Sequence, residues 1–317
     1  MTATETATWL LERDDFLIIT HRRPDGDTLG SAGALAVGLR SYGKSAYLLY
    51  NEDITPRYEP FVKDFIASAD YSPKCVIAVD TASLDLFTES AYCYADNVDL
   101  CIDHHPSNEN YAKHLCLEGH MASCGEVIYD VLSAMKCDID TCIAELLYLA
   151  VSTDTGCFSY GNTTSNSLLV ASKLVEAGAD NTQLNKQLFR TKTQNRIKIE
   201  SMITSSLEYY FDGRVAIGFI TRDMMDKTKA VEDDLDDIAA IPTSVEGVCV
   251  GITIRELSSP HDCKISVRSL APYDASEICM HFGGGGHMRA AGAVIKKTVY
   301  EIRDELLKFL ERYNINI

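Results

Sequence analysis

Short apolar runs, each closed by a polar residue, punctuate the first half of the chain. Residues 16–19 lead through Thr20 into His21, residues 75–79 into Asp80, and residues 99–102 into Asp103. Continuous apolar runs of this length suit strands buried on both faces of a parallel sheet. Between them, residues 28–42 place Leu29, Gly33, Ala36, Val37 and Arg40 at helical spacing, and further helices are predicted over 124–136 and 141–151. Strands alternating with helices predict an α/β fold with a doubly wound parallel sheet. Ligands bind such sheets beyond the carboxyl ends of their strands. Here those ends deliver His21-x-x-x-Asp25-x-Asp27, Asp80 and Asp103-His104-His105, and the 141–151 helix stops at Ser152-Thr-Asp154-Thr-Gly156.

The second half has a different texture. Residues 182–211 form a long polar run without Gly or Pro, which reads as a connecting helix. Strands are expected at 215–220, 247–255 and 263–269, an acidic helical segment near 232–237, and a last helix over 300–312. The division that follows is a sheet domain over 1–185, a helical linker over 186–212, and a smaller α/β domain over 213–317. There is no internal repeat.

Composition narrows the partners. The chain has 317 residues with 46 Asp and Glu against 29 Lys and Arg, a net charge of −17. The excess sits in residues 1–190, with 27 acidic against 13 basic side chains. A tight, sequence-independent grip on long nucleic acid needs many Lys and Arg contacts to phosphate, so long strands are excluded and short phosphates are not. Eleven cysteines fall singly, with no C-x-x-C, which predicts reduced thiols in a cytoplasmic protein. No apolar run reaches the roughly 18–20 residues of a membrane span. The acidic start also argues against a secretory signal.

Taken singly, an Asp-Gly-Asp is a common turn or helix cap, and an Asp after a strand a common cap for the next helix. Their joint occurrence at element ends is the informative signal. His21, Asp25, Asp27, Asp80, His104 and Asp154 are four carboxylates and two imidazoles, a set suited to Mn²⁺ or Mg²⁺, with Fe²⁺, Co²⁺ or Zn²⁺ as further options. Six donors exceed what one open catalytic ion needs and match two ions sharing a carboxylate. Two ions roughly 3.5–4 Å apart clamp a phosphoryl group and activate water for in-line attack.

The run Gly283-Gly-Gly-Gly286-His287 is the second cluster. Consecutive glycines allow close backbone approach to an anion and an N–H nest around it. Arg268 and Arg289 are candidate phosphate contacts beside it. Lys and Ser/Thr do not follow the last glycine, so this is no Walker A loop. His114, His120 and His261 read as surface residues, His281 as a packing residue, and Trp9 as the anchor of the N-terminal helix.

In this order, His21-Arg-Arg-Pro-Asp25-Gly-Asp27, Ala78-Val-Asp80-Thr, Asp103-His104-His105-Pro106, Ser152-Thr-Asp154-Thr-Gly156 and Gly283-Gly-Gly-Gly-His287 resemble the DHH phosphoesterase superfamily. The likeness is to its bacterial nanoRNase/pAp-phosphatase (oligoribonuclease-type) branch with the DHH-associated C-terminal domain. The resemblance implies a two-domain phosphoesterase that prefers Mn²⁺, with Mg²⁺ or Co²⁺ as substitutes, and an active site in the interdomain cleft. It implies His21, Asp25 and Asp80 for one ion and Asp27, Asp80, His104 and Asp154 for the other, with Asp80 bridging. Asp103 would fix the imidazole of the ligand beside it, and His105 would meet the substrate phosphate or assist proton transfer. Arg268, Gly284, Gly285, Gly286, His287 and Arg289 would hold the far end of the nucleotide. The substrates implied are short oligoribonucleotides, linear dinucleotides and nucleoside bisphosphates, with a homodimer as the assembly to test. A cyclic-di-AMP phosphodiesterase and a non-catalytic nucleotide-binding regulatory module are the alternatives. One departure stands out: Ser159 occupies a position where many relatives carry a basic residue.

Overall fold

The computed structural model describes residues 1–235 and 237–313. The chain divides into two compact units, Met1–Thr191 and residues from Lys192 onward.

The first unit carries a five-stranded parallel sheet, in order β2-β1-β3-β4-β5. Its strands are β1 (Phe16–Ile19), β2 (Ala46–Leu48), β3 (Cys75–Val79), β4 (Leu100–Asp103) and β5 (His114–Leu117). Strand geometry turns alternate side chains to opposite faces. Phe16, Ile18, Ile77 and Val79 accordingly enter one core, and Ile19, Val76 and Ala78 enter another. Both faces are buried, which is why the strands read as unbroken apolar runs. The sequence pattern marked the three central strands. It did not mark β2 and β5, which are short and lie at the sheet edges.

Helices α1 (Ala3–Leu11), α2 (Gly26–Ser41), the single turn α3 (Glu59–Val62), α4 (Cys124–Ala134), α5 (Thr141–Asp154), α6 (Ser165–Glu176) and α7 (Asn181–Asn185) complete this unit. Trp9 is 7 % exposed and joins the larger core, fixing α1 as expected. Helices α2 and α5 pack with almost no space between them. A Cβ on Gly30 would lie 2.3 Å from the Leu146 carbonyl oxygen and 2.9 Å from the Ala150 nitrogen. Backbone cannot yield as a side chain does, so Gly30→Ala should cost about 1–3 kcal/mol or more. The check is a thermal melt of the variant, and an unchanged midpoint would contradict the packing.

The 182–211 segment is not one helix. After α7 the chain makes a wide π turn over Lys186–Arg190, breaks, and restarts as α8 (Gln194–Ser205). Thr193 causes the restart: its backbone is extended and its hydroxyl accepts the Arg196 N–H, a standard N-cap. Residues Glu208–Tyr210 then form strand β6.

The second unit has a six-stranded mixed sheet, in order β10-β11-β9-β8-β7-β6. Its other strands are β7 (Val215–Ile220), β8 (Val250–Glu256), β9 (Cys263–Ser269), β10 (Gly285–His287) and β11 (Ala290–Ile295). Helices α9 (Arg222–Thr228), α10 (Ala275–His281) and α11 (Val299–Arg312) accompany it. On β9, Cys263, Ile265 and Val267 point into the core, which leaves Lys264, Ser266 and Arg268 on the opposite face. The acidic segment forms a short 3₁₀ turn over Glu232–Leu235, and Asp236 lies outside the described residues. His114, His120, His261 and His281 are all exposed, and His281 stacks on Phe309 with ring centroids 4.3 Å apart. No helix among the described residues is long and apolar enough to cross a membrane.

Candidate active site

The polar strand ends of the first unit meet at one edge of its sheet. Asp25 is the N-cap of α2, its carboxylate accepting the Thr28 N–H at 3.0 Å. The helix-cap reading of Asp-Gly-Asp is thus correct for Asp25, and the cap also aims its carboxylate. Asp27, in the first turn of α2, is 1 % exposed and accepts the N–H groups of Cys124 (2.7 Å) and Gly125 (2.9 Å) at the start of α4. Asp80 follows β3 with a left-handed φ of +54°, a region Asp tolerates better than most residues. Helix α5 runs three residues past its expected end, so Asp154 sits in its last turn.

These donors overlap in space. His21, Asp25 and Asp80 offer ligand atoms within 4.8 Å of one another, and so do Asp27, His104 and Asp154. His104 Nε2 lies 3.6 Å from Asp80 Oδ1, 3.7 Å from Asp27 Oδ2 and 3.7 Å from Asp154 Oδ2. Asp80 touches both groups, with Oδ2 3.8 Å from His21 Nε2. Asp80 Oδ2 accepts the Thr28 hydroxyl at 2.6 Å, whereas Asp80 Oδ1 is buried without a hydrogen-bond partner. A buried, unpartnered carboxylate oxygen is costly unless something positive meets it.

The electrostatics agree. Burial, reinforced by Asp154 and Asp25, pushes the Asp27 carboxyl well above the usual range. Burial, reinforced by Asp27 and Asp25, does the same to Asp80. Asp154 is pushed up to about 7 by burial and then by the Asp25 charge. Carboxylates crowded with no Lys or Arg ion pair among the described residues, beside imidazole nitrogens, fit hard or borderline divalent cations. The donor chemistry and the orphaned Asp80 oxygen therefore both suit the metal that the resemblance implies.

Asp103 works differently from expectation. It is fully buried and accepts the N–H groups of His104 (2.7 Å) and His105 (3.1 Å), the His105 Nδ1 (2.8 Å) and the Asn108 amide (2.7 Å). Burial works against its charge, but the His105 and Asn108 hydrogen bonds prevail and hold its carboxyl below the usual value. The imidazole it orients is that of His105, whose pKa the same hydrogen bond raises against the effect of burial. The His104 ring is instead held through Nδ1 by the Met121 carbonyl at 3.2 Å, and burial, then His105, lowers its pKa.

In the second unit, Arg268 and Gly284, Gly285 and Gly286 line an open concavity of about 610 Å³. His287 and Arg289 are not among its lining residues; the Arg289 guanidinium donates to the Tyr273 carbonyl at 2.6 Å. The glycines also differ from the expected anion nest. The Gly283 and Gly284 N–H groups close the end of α10 on the Met280 and Cys279 carbonyls, a Schellman arrangement, and residues 285–287 pair with β11. Glycine is required at 284 for space: a Cβ there would lie 2.1 Å from the Gly292 carbonyl oxygen. Ser159 turns its hydroxyl onto the Gly156 carbonyl.

Several contributors were not apparent in the sequence. Thr28 and the Cys124 and Gly125 amides depend on helices meeting in space. Lys264 and Ser266 line the concavity because they alternate with Arg268 on β9, a period-two signal that was available. Glu126 is fully buried, and Ser123-x-x-Glu126 has the spacing of a capping box.

Known families and proteins match the chain along most of its length. Residues 15–151 match the DHH family, N-terminal domain, and residues 212–315 match the DHHA1 domain. The bifunctional oligoribonuclease and PAP phosphatase NrnA of Thermus thermophilus is 26 % identical over 92 % of this chain and 90 % of its own. The Bacillus subtilis protein of the same name is 26 % identical over 94 % of each chain. The cyclic-di-AMP phosphodiesterase GdpP of Geobacillus thermodenitrificans is 24 % identical over 96 % of this chain and 48 % of its own. Among solved structures, an exopolyphosphatase-related protein from Bacteroides fragilis superposes with a TM-score of 0.89 at 24 % identity, over 98 % of this chain and 96 % of that one. A manganese-bound exonuclease RecJ gives 0.54 at 13 % identity, over 98 % and 94 %. The two family matches together span most of the chain, and the chain belongs to the DHH phosphoesterase family, as a DHH domain followed by a DHHA1 domain.

Proposed function

We propose that this protein is a two-metal, Mn²⁺-preferring phosphoesterase. It hydrolyses short oligoribonucleotides and linear dinucleotides to mononucleotides, and 3′-phosphoadenosine 5′-phosphate to AMP. The observation that carries the reading is the place of Asp80, which groups with His21 and Asp25 on one side and with His104 and His105 on the other, His104 also belonging to the Asp27 and Asp154 group; its buried Oδ1 has no hydrogen-bond partner. In this reading His21, Asp25 and Asp80 hold one cation, and Asp27, Asp80, His104 and Asp154 hold the other. The cations supply Lewis-acid stabilisation of phosphoryl charge and acidify water. The relatives named for oligoribonuclease and PAP phosphatase activity, matched over nearly their whole length, support the substrate class.

The protein's own groups define the rest. Asp103 accepts the His105 Nδ1–H and favours the imidazolium form, so that His105 Nε2–H can donate to a phosphate oxygen. Arg268, with Lys264 and Ser266 beside it, binds a phosphate of the nucleotide against the glycine strand. The acidic balance of residues 1–190 limits substrates to short ones.

The direct test is Mn²⁺-dependent turnover of short RNA, 3′-phosphoadenosine 5′-phosphate and cyclic-di-AMP, followed by chromatography on one preparation. Turnover of the first two supports the proposal; preference for cyclic-di-AMP replaces it with the alternative to which the GdpP likeness points. Absence of any Mn²⁺-dependent hydrolysis would leave the regulatory-module reading. Arg268→Ala should raise KM about 10–100-fold with little change in kcat, the value of one charge-assisted phosphate contact made equally in ground and transition states. Steady-state kinetics decide this, and an unchanged KM removes Arg268 from the binding set.

A further inference from the structure

Glu126 is a fully buried carboxylate at the start of α4, with no ion-pair partner among the described residues. Its Oε2 accepts the Ala122 N–H at 2.8 Å, and its Oε1 accepts the Asn166 side-chain amide at 2.9 Å. The capping box that the sequence suggests would send this carboxylate to the Ser123 N–H. It reaches one residue further back instead.

That extra residue matters because of the planar peptide bond. The Ala122 N–H and the Met121 C=O belong to one rigid trans unit, with donor and acceptor on opposite edges. The Met121 carbonyl is the group that holds His104 Nδ1 at 3.2 Å. Gripping the N–H edge therefore sets the direction of the C=O edge, and a negative acceptor on N–H strengthens the carbonyl as an acceptor. The same loop is tied a second time: Asn162 donates to the Ala122 carbonyl at 3.3 Å and to the Asp154 carbonyl at 3.0 Å.

We infer that Glu126 is a positioning residue for the metal centre, acting through the Met121–Ala122 peptide to hold His104 with Nδ1–H donated and Nε2 turned toward Asp27, Asp80 and Asp154. Carboxylate–histidine pairs beside metals usually meet directly. Here a peptide unit lies between them, and Asn166 of α6 steadies its outer end. The inference rests on the proposed metal-binding reading of the cluster.

The test is Mn²⁺ titration of the full chain, with free Mn²⁺ followed by electron paramagnetic resonance. The wild type should bind two ions. Glu126→Ala should weaken one of them about 10–100-fold and leave the other unchanged. Glu126→Gln should stay within about threefold of wild type, because its oxygen takes the Ala122 N–H and its amide donates to a flipped Asn166. Should Glu126→Ala fail to fold, Asn166→Ala carries the test, with a shift of about threefold to tenfold at the same ion. A Glu126→Ala protein that keeps both affinities overturns the inference, as does equal loss at both ions in Glu126→Ala and Glu126→Gln. A wild-type protein that binds no Mn²⁺ overturns the metal-binding reading beneath it, so the two failures are distinguishable.

Discussion

Asp80→Asn should lower Mn²⁺-dependent turnover by at least about a thousandfold, or roughly 4 kcal/mol of transition-state stabilisation, while the protein remains folded. Asn is the informative replacement. Residue 80 has a left-handed φ of +54°, which Asn tolerates, whereas Ala would add backbone strain to the loss of the donor. An Asn side chain can still accept the Thr28 hydroxyl, so the local hydrogen bond survives. Asp80 faces both donor groups, so losing its charge weakens both proposed cation positions together. Without added metal the variant should be at least as stable as wild type, because a buried carboxylate crowded by Asp27 and Asp25 has become neutral. Kinetics across a Mn²⁺ series and a thermal melt of the metal-free protein check both halves. Near-wild-type kcat at saturating Mn²⁺ would sink the shared-carboxylate arrangement.

Stability should respond to pH and Mn²⁺ in a coupled way. Asp27, Asp80 and Asp154 all titrate above the ordinary Asp value in the folded chain, Asp154 at about 7. A folded value above the unfolded one favours the protonated native state. The contribution of these groups is therefore full below about pH 4 and is lost as pH rises through the folded values. In the presence of a chelator, their share of stability falls between about pH 4 and pH 7 and beyond. Mn²⁺ competes with those protons, so its stabilising effect should grow over the same window. At about 100 times the dissociation constant the gain is about 2.7 kcal/mol, or on the order of 5–10 °C in melting temperature for a unit of this size. Calorimetry with Mn²⁺ or chelator at pH 5 and pH 8 tests the sign. An equal shift at both values would mean that the ion does not displace these protons.

The central strands and the start of α4 were legible in the sequence because their signals are local. β1, β3 and β4 are buried on both faces and read as apolar runs, and Asp25 caps α2 as its sequence suggests. The six candidate donors were legible for a related reason: a parallel sheet brings the carboxyl ends of its strands to one edge, so a polar residue closing each apolar run is brought to that edge with the others. The edge strands β2 and β5 were not legible, because three or four residues at a sheet border carry too little pattern.

What the tertiary structure alone decided is how those donors are held. Sequence adjacency pairs Asp103 with His104, yet the fold gives Asp103 to His105 and gives His104 to the Met121 carbonyl. Gly30 looks like any helical glycine until α5 lies against it. Glu126 looks like half of a capping box until the 121–122 peptide and Asn166 close around it. The glycine run, expected to bind an anion with its N–H groups, spends two of them on ending α10. Residue types and their order along the chain therefore determined which chemistry is available at this sheet edge. Hydrogen-bond partners 17 or 98 residues apart along the chain follow from packing, and packing is a property of the assembled core that no local pattern encodes.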